Sequence, residues 1–248
     1  MRLSIVIPVL DEADEIGDAL RALAPLRERG TEIIVVDGGS HDATVARATP
    51  LADRVIVTPR GRALQMNAGA RIASGCLLLF LHADTRLPPD ADRLVMDVLV
   101  RTGRLWGRFD VRIAGRHPLL RVVAAMMNLR SRLTGVATGD QAIFVKRALF
   151  ATVGGFPAIP LMEDVALSSR LKRCGRPLCL TERVTTSGRR WETRGVMRTI
   201  VLMWRLRLAY RLGADPASLA RIYGYAPQRP RTFSGEADTA SRSKNATT

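Results

Sequence analysis

Short apolar runs of strand length alternate with helical segments through the first eighty residues, and that alternation leaves few architectures open. Leu3 to Val9 is the first run. Asp11 and Glu12 close it, and Ile16, Ala19, Leu20 and Leu23 then recur at helical spacing. Glu32 to Val36 is β-branched and short, Asp37-Gly38-Gly39-Ser40 reads as a turn, and Asp42 to Ala48 is helix-like. Arg54 to Thr58 gives a third strand, Arg62 to Ala73 a third helix and Cys76 to Leu81 a fourth strand. Strands and helices at this pitch imply an α/β fold with a mostly parallel sheet flanked by helices. Such sheets bind ligands outside the carboxyl ends of their strands. Three of those ends carry carboxylates: Asp11 with Glu12, Asp37, and Asp84.

The second half is less regular. A helix is expected from Pro88–Pro89 to about Val100, a strand over Trp106 to Ile113 and a helix over Pro118 to Leu133. In that helix Arg121, Asn128 and Arg132 form a polar stripe, and Leu119, Val122, Met126, Leu129 and Leu133 form the apolar side. Arg130 falls on the apolar side and interrupts it. Gln141 to Val145 and Pro177 to Val184 read as strands, Glu163 to Cys174 and Gly195 to Leu212 as helices. The pattern suggests one domain over residues 1–225, with a first half (1–100), a second half (101–192) and a basic amphipathic helical segment (193–225). Residues 226–248 lack periodicity and read as a disordered tail.

Charge divides the same way. The net +15 resolves into −3 over residues 1–100 and +18 over the remainder, nearly all of the positive charge being arginine. Arginine binds phosphate bidentately, so nucleic acid, acidic lipid and phosphorylated substrates all fit this excess. No apolar run approaches the roughly 20 residues a spanning helix needs. Asp11 and Glu12 interrupt the first run before a signal-peptide core forms. The expected location is the cytoplasm, with peripheral contact on the inner face of the membrane through the basic helices. Cys76, Cys174 and Cys179 are odd in number, lack zinc spacing and have apolar neighbours, so they read as core cysteines.

No G-x-G-x-x-G follows the first strand and no Walker lysine motif occurs, which argues against dinucleotide oxidoreductases and P-loop enzymes. Carboxylates at strand ends bind phosphate only through a cation, and Mg2+ or Mn2+ bridges carboxylates to phosphate oxygens in this manner.

Seven segments carry a more specific signal: IVIPVLDEADEI, VVDGGSHDAT, RGRALQMNAGA, FLHADT, TGDQAIF, GGFPAIPLMEDVALSSRLKRCG and GRRW, in this order. Together, over roughly residues 1–192, they resemble a family 2 glycosyltransferase of the GT-A fold. The resemblance implies an inverting enzyme that moves a sugar from a nucleotide-diphosphate donor to an acceptor hydroxyl, phosphate or carboxylate. It implies that Pro8, Asp11, Glu12 and Asp37 hold the nucleoside and that Arg62 and Asn67 lie along the nucleotide. Asp84 of His82-Ala83-Asp84 becomes the ligand of Mg2+ or Mn2+, His82 standing where similar enzymes carry another carboxylate. Asp164 is implied as general base with Glu163 beside it, and Gly139, Asp140 and Gln141 as acceptor contacts. Arg190 and Trp191 match the R-W part of a longer motif whose glutamine is absent here, which speaks against processive synthesis. Arg190 is left to neutralise diphosphate and Trp191 to stack on a sugar.

Other readings attach to the same residues. Asp11 and Asp42 suit helix N-caps, and Glu163 and Asp164 suit a first helical turn. The arginine-rich helices 118–133 and 196–212 suit either an anionic membrane and a lipid or carotenoid-acid acceptor, or plain packing with snorkelling arginines. A nucleotidyltransferase acting on sugar phosphates would carry a Gly-rich, Lys-bearing loop where VLDEADEI stands. A non-catalytic basic relative binding membrane or nucleic acid is the further alternative, although scarce aromatics and an acidic sheet edge speak against nucleic acid.

Overall fold

The computed structural model of the chain describes residues 1–225; the expected tail lies outside them. Strands β1 (Leu3–Val9), β2 (Glu32–Asp37), β3 (Arg54–Val57) and β4 (Leu77–Phe80) alternate with α1 (Ala13–Glu28), α2 (Thr44–Ala48) and α3 (Arg62–Ile72). Then follow β5 (Thr85–Arg86), α4 (Ala91–Thr102), β6 (Trp106–Ala114), α5 (Leu119–Thr134), β7 (Phe144–Lys146), α6 (Arg147–Thr152) and α7 (Glu163–Leu171). The described chain ends with β8 (Leu178–Ser187), α8 (Arg189–Arg194), α9 (Val196–Arg211) and α10 (Pro216–Tyr223).

All eight strands form one sheet in the order β3-β2-β1-β4-β7-β6-β8-β5. The first four are parallel, β7 joins β4 and β6 antiparallel, and β6 and β8 run parallel to each other. Helices cover both faces, which is why β1, β2 and β4 are apolar almost without alternation. Ile5, Ile7, Ile33 and Leu79 enter one core cluster, whereas Val6, Ile34, Val36 and Leu78 enter the other. Helix α3 approaches the sheet closely at Gly69, where a Cβ would stand 2.4 Å from Val6 Cγ1.

The expected strand at Gln141 to Val145 is shorter and later. Residues Gly139–Gln141 form a 3₁₀ turn whose Gln141 side chain accepts from the Thr138 N–H at 3.2 Å, and the strand begins at Phe144. Cys76 and Cys174 are exposed and Cys179 half-buried, so none is the core cysteine its neighbours suggested. No helix among the described residues is long and apolar enough to cross a membrane.

The largest departure from the sequence pattern is the orientation of α5. Asn128, Ser131, Leu120, Val123 and Met127 face inward, while Val122, Met126, Leu129 and Leu133 face outward, with Leu133 68% exposed. The cause lies on β6. Arg108 is completely buried and must have acceptors. It pairs with Asp110, donates to Ser131 Oγ at 3.1 Å and to the Asn128 carbonyl at 3.2 Å. Arg132 closes on the same carboxylate through both of its oxygens, at 2.7 and 2.9 Å. Asn128 in turn brackets the backbone of Val111, accepting at 2.9 Å and donating at 3.0 Å. Asn128 and Arg132 of the polar stripe of α5 therefore turn toward the sheet, together with Ser131, while Arg121 stays exposed.

Asp110→Ala leaves Arg108 buried beside no carboxylate, and an unfolding free energy lower by about 3–5 kcal/mol is expected in urea titration. Val122→Ser, on the outward face of the same helix, is expected to change it by no more than about 0.5 kcal/mol.

Candidate functional site

The loops after β1 and β2 are stitched together at the carboxyl edge of the sheet. Asp11, at φ 51°, donates its N–H to Ser40 Oγ at 2.8 Å and accepts from the His41 N–H at 2.9 Å. Glu12 N–H reaches Thr44 Oγ1 at 2.8 Å and Ala13 N–H reaches Asp42 at 3.0 Å, so Asp42 caps the first turn of α1 from across the loop. The Asp37 carboxylate is consumed by its own turn, accepting from the N–H groups of Gly39 and Ser40 at 2.8 Å each and from the Ser40 hydroxyl. Below them the buried Gln65 amide donates to the carbonyls of Val9 and Val36, both at 2.8 Å. These bonds fix the edge against which a cleft of about 300 Å³ opens.

Pro8, Glu12, Arg62, Asp84, Asp140, Glu163, Asp164 and Arg190 all line that cleft. Asp84 stands beyond the end of β4, with Thr85 Oγ1 donating to it at 3.2 Å. Opposite, the turn before β7 and the start of α7 interlock: Gly139 donates its N–H to Asp164 Oδ2 at 2.7 Å, while Asp164 Oδ1 accepts from Val165 N–H at 2.7 Å. Gly139 also lies under the His82 ring, where a Cβ would come within 2.4 Å. His82 Nδ1 is 3.5 Å from Asp140 Oδ1, so the histidine at the motif's first position pairs with the carboxylate of the facing turn. Arg62 pairs with Glu163 at 3.3 Å, and Arg190 donates to the Tyr223 hydroxyl at 2.6 Å while lying 5.5 Å over its ring.

The charges are under tension. Burial pushes the Glu163 carboxyl, only 2% exposed, above its usual range; Arg62 opposes the rise and Asp164 adds to it. Arg62 itself stays charged, since Glu163, Asp164 and Asp140 together outweigh the cost of its burial. Glu12 is raised first by burial and then by the neighbouring charges of Glu15 and Asp84, against Arg189 and Arg190. At Asp140 burial is overcome by His82, Arg62 and Arg190, which hold it below the usual range.

Comparison with known proteins places the chain in a family. The model of glycosyl transferase family 2 matches residues 4–148, more than half of the chain. The chain belongs to this family. A family relative from Mycobacterium bovis, named as a PGL/p-HBAD biosynthesis glycosyltransferase, is 31% identical over 170 aligned positions covering 62% of each chain. An uncharacterized glycosyltransferase of Mycobacterium tuberculosis is 32% identical over 164 positions, again 62% of each. The match thus spans less than two thirds of these relatives' length. Among solved structures, a mannosyltransferase from Pyrobaculum calidifontis in complex with GDP-Man and Mn2+ superposes with a TM-score of 0.63 at 22% identity, covering 90% of this chain and 69% of that one. Glucosyl-3-phosphoglycerate synthase from M. tuberculosis, in complex with Mn2+, UDP and phosphoglyceric acid, gives 0.61 at 21% identity, covering 87% and 80%. The likeness to these structures establishes the GT-A fold.

Within the family 2 cleft, the donor set suits a hard divalent cation. Among the described residues no three His, Cys, Asp or Glu side chains converge to cage a metal. Asp84 with Glu12 nearby instead forms an open carboxylate edge, the arrangement in which Mg2+ or Mn2+ keeps waters and takes remaining ligands from substrate phosphates.

Six sequence-predicted site residues stand outside the cleft lining. Asp11 and Asp37 serve the loops, and Gln141 caps its own turn and donates to Asn128 Oδ1 at 3.3 Å. Gly139 acts through its N–H. Asn67 clamps Phe156, donating at 2.8 Å and accepting at 2.9 Å, and so ties α3 to the loop that precedes Glu163. Trp191 packs on the core and lines a neighbouring cavity. Sequence reading missed Tyr223 and Tyr225, which α10 folds back over the cleft, and Arg207 and Met203 of α9. The Asp215-Pro216-x-Ser218 N-cap signature marks α10, with Asp215 accepting from Ser218 N–H at 3.0 Å.

Glu163→Gln removes the charge that burial penalises, so the variant is expected to be more stable than the native protein at neutral pH. The native folded carboxyl has a raised pKa, so its penalty is present above that pKa and disappears as the group protonates. The difference should therefore close as pH falls, as followed by urea unfolding across pH.

Proposed function

We propose that this chain is an inverting glycosyltransferase that moves a sugar from a nucleotide diphosphate to an acceptor oxygen. The observation that carries the reading is the placement of Asp84 and Asp164 on one cleft at the carboxyl edge of the parallel strands, with Arg62 and Arg190 lining the same cleft. The first half, residues 1–100, supplies the donor side through Pro8, Glu12 and Asp84; residues 101–192 supply the acceptor side through Asp140, Glu163 and Asp164. Asp11, Asp37 and Asn67 contribute by holding the surrounding loops.

Asp84, assisted by Glu12, would hold Mg2+ or Mn2+, which when bound neutralises diphosphate charge and eases its departure. Arg190, fixed by Tyr223, presents a guanidinium to the same diphosphate. An acceptor hydroxyl attacks the anomeric carbon on the side opposite the leaving diphosphate, which inverts that centre. The hydroxyl's proton passes to Asp164, whose carboxylate is held by the Gly139 N–H at one oxygen and the Val165 N–H at the other and is thus aimed before the acceptor arrives. Glu163 and Arg62 position it, while His82 keeps Asp140 turned toward the acceptor. Trp191, placed by the sequence against a sugar, is assigned instead to the wall of the adjoining apolar cavity.

The acceptor class proposed is membrane-borne. Met197, Val201, Trp204 and Leu208 form an exposed apolar line along α9, flanked by exposed Arg198, Arg205 and Arg211. That composition suits peripheral binding to an anionic surface on the cytoplasmic face. No role in nucleic-acid binding is assigned.

Nucleoside diphosphates are expected to raise the melting temperature only modestly alone and substantially with Mn2+, because cation and diphosphate complete each other's site; a panel of uridine, guanosine and thymidine diphosphates measures this. Asp164→Asn is expected to lower the transfer rate by about 10²–10⁴ while leaving that nucleotide stabilisation intact.

A further inference from the structure

Arg130 interrupts the aliphatic face of α5, and Arg207 interrupts α9. Both side chains turn inward between the helices. Arg130 Nε and one of its terminal nitrogens, and Arg207 Nε, are buried without a hydrogen-bond acceptor among the described residues. Buried guanidinium groups are ordinarily paired, because leaving such donors unmade costs more than making them gains. Burial, and then the like charge of Arg207, push Arg130 down to about 10, and burial likewise lowers Arg207. The two cations are therefore close to each other, and the carboxylates of Asp164 and Asp140 on the cleft side offset only part of the cost of their burial, which leaves the unbonded nitrogens in want of a further acceptor.

Their position says which anion. Arg207 lines the cleft with Asp84 and Asp164, but Arg130 does not. Both line a second cavity of about 370 Å³ that meets the catalytic cleft at Asp84, Asp140 and Arg190 and continues between Met126, Trp204 and Ile200. Both also edge an apolar groove of about 1020 Å³ under Val201 and Leu208. One end of this space is catalytic and carboxylate-lined, the middle is doubly cationic, and the far end is aliphatic and open to the exposed face of α9. A donor diphosphate has Arg190 and the cation edge at Asp84 on its own side, so the arginine pair stands toward the acceptor.

Building on the transferase reading above, we propose that Arg130 and Arg207 clamp the phosphate of a lipid-borne acceptor whose hydrocarbon chain lies in the groove between α5 and α9. Two guanidinium groups match a phosphate monoester in charge and in hydrogen-bonding oxygens. The aliphatic groove gives the chain an apolar environment that continues into the membrane-facing helix surface.

Dodecyl phosphate, dodecanol and inorganic phosphate, titrated separately against the full chain with Trp191 and Trp204 fluorescence as readout, test this. Dodecyl phosphate is expected to bind at least about tenfold more tightly than either of the others. Arg130→Met and Arg207→Met are each expected to erase the preference over dodecanol while dodecanol itself binds as before; the two lie on different helices, so one suffices if the other does not fold. Equal affinity for dodecyl phosphate and dodecanol overturns the proposal. Inorganic phosphate binding as tightly as dodecyl phosphate also overturns it, by revealing a free-phosphate site. A tenfold loss of nucleoside diphosphate affinity in Arg130→Met would move the pair to the donor. Nucleotide stabilisation of the native chain, read separately, decides the transferase reading, so the two fail by different measurements.

Discussion

The buried pairing of Arg108 with Asp110 governs more of this structure than any contact in the cleft. A guanidinium with no exposure must collect acceptors from whatever packs over it, and α5 supplies them from its polar side. Once Ser131, Asn128 and Arg132 are committed inward, Val122, Met126, Leu129 and Leu133 have nowhere to go but out. The same lattice passes through Asn128 to Gln141 and so to the turn that carries Gly139 and Asp140. An ion pair on a strand thus bears on both the character of an outer surface and the placement of the turn that carries Asp140.

The carboxyl edge follows a second rule. Its loops satisfy their own polar groups first: Asp37, Asp42 and Asp11 are spent on backbone N–H groups, which makes the edge rigid. What is left for chemistry is a smaller set, Glu12, Asp84, Asp140, Glu163 and Asp164, held in a cleft with Arg62 and Arg190. Raised carboxyls at Glu12 and Glu163 beside a depressed one at Asp140 show environments pulled in opposite directions within one cleft, as is common where groups are used rather than merely packed.

Much of this was legible in the sequence. The alternation of strands and helices, the carboxylates at strand ends and the acidic start of α7 depend on local pattern, and local pattern is what a sequence displays. What escaped is what tertiary partners decide. The hydrogen bonds that Asp37 and Gln141 make within their own turns are not visible in the sequence, and nothing in the stretch around Asn67 announces that it clamps Phe156. On α5, periodicity separates polar from apolar without saying which side is covered; the buried Arg108 of the strand just before it turned Asn128, Ser131 and Arg132 inward and left Arg121 exposed. Arg130 was visible as an interruption, but its meaning required Arg207, 77 positions further on.

Gly139 meets both halves of the molecule at once. The His82 ring from the end of β4 rests against its α-carbon, and its N–H holds Asp164 at the start of α7. With no side chain there, the spacing between the His82 wall of the cleft and the Asp164 wall is set by the thickness of a bare peptide, the thinnest spacer a polypeptide possesses. The width of the cleft is gauged by a missing methyl group, and even alanine at that position would widen it.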